Sequence, residues 1–408
     1  MTPRSIYSGA WASSLRIRDF RLFWSSTFSY SVGTGMEAVA VGWLVFDLTG
    51  SAFMVGVASA ARMAPLFFLG ILSGAMADWL ERRLFLLFSA LGGVAVAAIM
   101  AALLLSGDPP VWAVVVLVAA GGCVLAFTLT TRNAYTYDLV GPDHALNGLS
   151  LNQMAMQVGG IAGALMSGAL IELVGPGWQY LGVGVSYLGS ASILLVIGRS
   201  ARSAEPQREP VLRNLVGYIQ FLRENRVILV LMCLTSITEV FGFSHMTMLP
   251  VFAKEVLHVG PAGLGYLTAV RQAGGLFGLA LLANLRDYRR KGLLMFIIAT
   301  AFGLGLMAFS LSTAMVYFII VLAAVNAFGM AVDTLYKTLM LSNVPDEQRG
   351  RAMGAWVLSI GVAPVGHLGV GGLATALGAQ GALLINGAVL AGISIAAAIG
   401  LPKMRRLE

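Results

Sequence analysis

The sequence predicts an all-α membrane protein of twelve transmembrane helices in two pseudo-symmetric six-helix bundles, and three observations carry the prediction. Of the 408 residues, 58% are hydrophobic and only 11% charged, with a mean hydropathy of +0.83. A soluble domain carries about 25% charged residues, so no water-facing core accounts for this excess. A bilayer span takes about 20 apolar residues, and twelve such runs fit along the chain. The third observation is that the second half of the chain repeats features of the first.

The runs fall at 20–46, 52–77, 84–106, 111–131, 150–174, 178–198, 228–253, 262–285, 292–311, 314–338, 352–377 and 380–401. Nothing remains for a sizeable soluble domain. Residues 1–19 lack an apolar core and a cleavage site, so no signal peptide is expected; Arg16, Arg18 and Arg21 flank the first span. The longest polar interruption, "GRSARSAEPQREPVLRN" at 198–214, lies near the midpoint. It divides the chain into a first bundle (1–198), a cytoplasmic linker with a short interfacial helix (199–226) and a second bundle (227–408).

Counting loops alternately places 23 of the 26 Lys and Arg residues on one side, against Lys254 alone on the other. Arg62 and Arg271 lie within apolar runs. Basic loops stay cytoplasmic, so both termini are expected inside a cytoplasmic (inner) membrane. The net charge of +7 therefore belongs to short loops, and no nucleic-acid partner is expected. Cys123 and Cys233 fit no metal spacing and read as packing residues.

"DLVGPDHALNGLSLNQMAMQVGGIAGALMSG" (138–168) aligns with "LSNVPDEQRGRAMGAWVLSIGVAPVGHLGVGG" (341–372). The match sets Pro142 on Pro345, Gly163 on Gly366 and Gly168 on Gly371. "VGVASAAR" (55–62) likewise matches "LGYLTAVR" (264–271), setting Arg62 on Arg271. Duplicated six-helix halves with a mid-membrane site between them are a plan of many secondary transporters.

Three stretches add a family resemblance: the first two spans through "GAMADWLERR", the run "MLPVFAKEVLHVGPAGLGYLTAVRQAGGLFGLALLANL", and "SNVPDEQRGRAMG". The chain resembles the major facilitator superfamily, in particular the branch of bacterial exporters containing the enterobactin and macrolide efflux proteins. The resemblance implies the major facilitator fold and makes Gly74, Asp78, Arg82 and Arg83 a latch on the cytoplasmic side. Trp79 and Glu81 depart from that motif. Gly159, Gly160, Gly163 and Gly168 resemble the glycine-rich packing motif of family antiporters, with Pro364 and Gly366 as counterparts in the second half. Small residues there let helix backbones approach.

Buried charge marks the candidate site. A charged side chain at the bilayer centre costs about 2.5–3.5 kcal/mol by insertion scales, yet Glu37 interrupts the first span and Glu239 the seventh. The resemblance implies that these two helices line the central cavity. At about 1.5 Å per residue, Glu37 and Arg62 share a depth, whereas Glu239 and Arg271 match less closely. Two readings stay open: each pair pins two helices, or a glutamate exchanges its arginine for a proton or a cation during the cycle. His245, Asn326 and Asp333 complete the cavity candidates, Asp333 being four residues from Lys337 and able to pair with it. Arg132 and Asp138 read as interfacial anchors and His367 as a packing histidine.

Enzyme readings fare poorly. The four histidines never approach H-E-x-x-H spacing, no GxGD accompanies "TYDLV", and no Gly-rich phosphate loop occurs. No metal, cofactor or catalytic residue is expected. With neither an ATP loop nor a legible sodium site, protons are the default energy source. The resulting expectation is a monomeric proton-coupled antiporter, exporting a small amphipathic, drug- or siderophore-like molecule. A lipid or lysolipid translocase of the same fold is the alternative.

Overall fold

The computed structural model describes residues 10–77, 81–141, 144–198, 221–285, 288–345 and 348–407. Asp78 and most of the 199–226 linker lie outside them. Among the described residues ten helices are long and apolar enough to cross a membrane, and Ala52–Phe68 is a shorter apolar helix.

In the first half these are α1 (Arg18–Thr49), α2 (Ala52–Ala77), α3 (Arg82–Leu105), α4 (Val111–Val140), α5 (Ala145–Val174) and α6 (Pro176–Val196). The second half contributes α7 (Arg226–Val256), α8 (Pro261–Asn284), α9 (Lys291–Ser310), α10 (Met315–Ser342), α11 (Arg349–Ile360) and α12 (Ala363–Gly400). Local chemistry sets their ends. Pro176 and Pro261 open α6 and α8, where a missing N–H costs nothing. Gly50 closes α1 in the left-handed region, its N–H donating to Phe46 O at 2.8 Å.

The run Arg349–Gly400 covers 52 residues, far more than one crossing needs. Gly378 breaks it with φ 74° and ψ 163°, a conformation only glycine adopts without penalty. The break lies between the apolar runs 352–377 and 380–401.

Packing repeats between the halves. α2 lies on α4 as α8 lies on α10, and α3 on α6 as α9 on α12. The halves meet where α5 packs on α8 and α2 on α12. A Cβ at Gly163 would collide with the Val32 carbonyl, so α1 and α5 approach backbone to backbone. Gly159 packs likewise on Phe28 and Ser31, whereas Gly160 faces Gln272 of α8 and Gly168 faces Pro261 and Gly265. The glycine motif thus serves both a packing face within the first half and a face between halves. Gly366, just after Pro364, rests on the Val240 backbone of α7.

Arg132 departs from expectation. It is 1% exposed, deep among α1, α4 and α6, and donates to Thr27 Oγ1 at 2.8 Å and Ser190 Oγ at 3.1 Å. The Tyr30 ring lies 4.4 Å from its guanidinium carbon. These partners come from helices far apart in sequence, which is why an interfacial place looked sufficient. Cys233 is exposed rather than packed inside.

Candidate functional site

A cavity of about 370 Å³ lies between the halves, walled by α1, α2, α7, α8, α10 and the start of α12. Arg62, Glu239, Arg271 and Asp333 line it, together with His367, Phe243 and the methionines Met63, Met246 and Met330. The wall is mainly apolar with a few charged groups, the composition of a small-molecule site.

α7 is not a plain α-helix at this level. Residues Thr238–Phe243 form a π-helix, and Phe252–Val256 form a second one. The first of these turns carries Glu239 into the cavity wall. π-turns inside α-helices recur at functional sites. Beyond it, Pro250 leaves α7 without one amide donor and seats its ring against Gly42 of α1.

The two glutamates of the duplicated halves differ in their surroundings. Glu37 Oε2 accepts from Arg62 Nη2 at 3.2 Å and from the Tyr187 hydroxyl at 3.1 Å, while Glu37 is 7% exposed. It points into the first half, toward Gly121 of α4, and does not line the cavity. Arg62 does. The expectation of Glu37 as a cavity residue is corrected on this point: the ion pair reaches the wall through its arginine. Glu239 has the opposite placement, in the wall and half-buried. No ion pair or hydrogen bond joins it to Arg271 among the described residues. The Nη1 of Arg271 instead lies 3.1 Å from Met246 Sδ, a weak acceptor.

The remaining candidates divide similarly. Asp333 holds Lys337 at 2.8 Å and accepts from Trp356 Nε1 at 2.7 Å, and the Lys337 ammonium sits 3.9 Å over the Trp356 ring. His245 is fully buried against Phe302 and Phe309, away from the cavity. Its Nδ1 donates to Gly242 O at 2.7 Å, which leaves Nε2 to accept from Asn326 Nδ2 at 3.4 Å. Asn326 is itself 3% exposed. His245 and Asn326 brace α7 against α10 behind the wall. His367 pairs with Thr247 through Nδ1 at 2.7 Å, and both residues line the cavity.

Of the residues that the resemblance implies as a latch, Arg82 pairs with Asp138 at 2.7 Å, and Arg83 donates to the carbonyls of Leu194 and Leu195. Gly74 lies near the end of α2, and Asp78 is outside the described residues.

Sequence reasoning missed several parts of this arrangement. Tyr187, Trp356 and Met246 come from apolar runs in which nothing distinguishes them. A cross-half pair, Lys254 Nζ to Asp47 Oδ1 at 2.5 Å, joins the ends of α1 and α7. Counting loops alternately leaves Lys254 alone on its side, and that isolation was the available signal.

Comparison with known proteins gives the family. The family model described as transmembrane secretion effector matches residues 8–408. The multidrug efflux pump Tap of Mycolicibacterium fortuitum is 26% identical, over 92% of this chain and 94% of its own. The enterobactin exporter EntS of Citrobacter koseri is 25% identical, over 86% and 85%. Among solved structures, the nucleoside transporter NupG superposes with a TM-score of 0.74 at 15% identity, covering 96% of this chain and all of NupG. With its helical halves and central cavity, the chain belongs to the transmembrane secretion effector family of major facilitator transporters.

Proposed function

We propose that this transporter exports a small amphipathic molecule across a cytoplasmic membrane in exchange for protons. The bundles 1–198 and 227–408 rock about the central cavity, with both termini cytoplasmic and the monomer as the working unit. The carrying observation is Glu239: a carboxylate in the cavity wall, on a π-turn, with no bound counter-ion among the described residues. Such a group is free to hold a proton in one state of the cycle and give it up in another. Glu37 instead keeps Arg62 in place, and the Asp333–Lys337 pair closes a second wall. The export direction is the one its relatives support, a multidrug efflux pump and an enterobactin exporter. The contacts between halves near Gly168 and Lys254 fit a state closed toward the outside.

Everted membrane vesicles containing the protein test this reading. They are offered ethidium, a macrolide and enterobactin, with and without an imposed pH gradient, and accumulation is read by mass spectrometry. The expected result is gradient-dependent accumulation of at least one of the three by wild type and its loss in Glu239→Gln. Equal accumulation without the gradient would remove proton coupling, and no accumulation of any of them would remove drug- or siderophore-like export.

A further inference from the structure

The four charged side chains of the cavity wall are not equivalent. Arg62 is neutralised by Glu37, and Asp333 by Lys337. Two charges remain without an opposite partner within ion-pair distance among the described residues, the cation Arg271 and the anion Glu239. Asp333, the other carboxylate of the wall, is held by Lys337 and by the Trp356 indole N–H.

These two groups also stand apart. The Arg271 guanidinium touches Met246, seven residues beyond Glu239 on α7, which is about 10 Å along a helix. Phe243 lines the wall between those levels, and Met330 faces the same space from α10. From one end to the other the cavity offers a cation, an apolar strip with an aromatic ring, and a carboxylate.

We infer that the cavity selects zwitterions: molecules with a carboxylate or similar anion for Arg271, an ammonium for Glu239, and an apolar body of roughly matching length between them. The planar guanidinium suits a two-oxygen anion. Methionine and phenylalanine side chains adapt to varied apolar bodies, so charge spacing rather than body shape sets the selection. A ligand with only one charge leaves the opposite wall group unpaired in a mainly apolar space, and that loss is what discriminates. The inference rests on the transport reading above and narrows its substrate class. On that reading a substrate ammonium and a proton would compete for the same carboxylate.

Three rigid probes separate the outcomes: a biphenyl with aminomethyl at one end and carboxylate at the other, the same biphenyl with only the aminomethyl, and the same with only the carboxylate. Binding to the purified full-length protein is measured by calorimetry at neutral pH, without any gradient. The zwitterion is expected to bind about tenfold or more tightly than either singly charged probe. Arg271→Gln should abolish the advantage over the cation alone and Arg271→Lys should restore part of it, while Glu239→Gln should abolish the advantage over the anion alone. Thermal unfolding identifies any variant that fails to fold, and Arg271→Lys keeps the test decisive in that case.

A cation binding as tightly as the zwitterion overturns the inference. So does a preference that survives both substitutions, or saturable binding by none of the three. Because no gradient is involved, those results leave proton-coupled export standing. Intact zwitterion preference without gradient-driven flux would instead remove that export reading alone.

Discussion

Arg62 reaches the cavity wall while its Nη2 stays 3.2 Å from Glu37, which faces the interior of the first half. The pair therefore works as a strut. The Tyr187 hydroxyl holds the carboxylate from α6, and the Thr34 carbonyl accepts from the arginine at 3.5 Å. In the second half Arg271 occupies the matching sequence position without an acidic partner among the described residues. The cation recurs at both positions and, among the described residues, the strut at only one.

Glu37→Gln should therefore act on stability. Removing one member of a buried ion pair leaves the other uncompensated, a loss of about 3–5 kcal/mol. The expected outcome is a marked fall in the thermal unfolding midpoint of the purified protein, with most of it recovered in the double variant Glu37→Gln/Arg62→Met. A Glu37→Gln protein as stable as wild type would show that the strut carries no load.

Glu239→Gln should behave in the opposite way. The side chain has no hydrogen bond or ion pair to lose among the described residues, so unfolding should shift within about 0.5 kcal/mol, as for sites with no special contact. Gradient-driven flux should nevertheless fall at least tenfold. A variant that unfolds early, or one that transports normally, would each remove Glu239 from the coupling role.

The contrast between these glutamates marks where sequence reading stops. Depth was legible, because a helix rises a fixed distance per residue and Glu37 and Arg62 could be set level by counting. Rotation about the helix axis was not, because apolar residues surround Glu37 on every face and both neighbours and cavity are mostly apolar. The π-turn at Thr238–Phe243 adds a further obstacle, since it re-aims Glu239 relative to the α-helical register from which its facing would be judged. Arg132 shows the same limit. Near a span end it could reach water or turn inward, and only the meeting of Thr27, Tyr30 and Ser190 makes the inward place favourable. The apolar runs, the glycine motif and the duplication were all visible, because each is a local or periodic property of the chain.

Gly163 offers a test of close packing inside one half. An added methyl would collide with the Val32 carbonyl, so Gly163→Ala should destabilise by about 1–3 kcal/mol, the range for overpacking. Gly369→Ala, where a Cβ meets nothing within 4 Å, is the matched control and should leave the unfolding midpoint unchanged or raise it. Equal midpoints for the two variants would contradict the backbone-to-backbone contact of α1 and α5.

Where α1 and α7 end, the halves are held by contacts whose strength is modest enough to release. Lys254 meets Asp47 at 2.5 Å, with side chains 40% and 55% exposed, and its ammonium lies 5.6 Å from the Trp43 ring. Exposed ion pairs contribute about 0.2–1 kcal/mol. Glu172 of α5 accepts from the Ala262 amide at the start of α8, at 3.1 Å, and a carboxylate there adds about 0.3–1 kcal/mol through the helix dipole. Two such contacts bias a conformational equilibrium by up to about thirtyfold while leaving it reversible. Lys254→Ala/Glu172→Gln should therefore populate a state with these ends apart. Spin labels at Leu48 and Glu255, read as a distance distribution in lipid discs, should report the new population. The double variant should retain its fold and its binding of cavity ligands, because neither residue lines the cavity. An unchanged distance distribution would mean that α5–α8 packing around Gly168 and Gly265, and not the polar contacts, sets the balance between the two states.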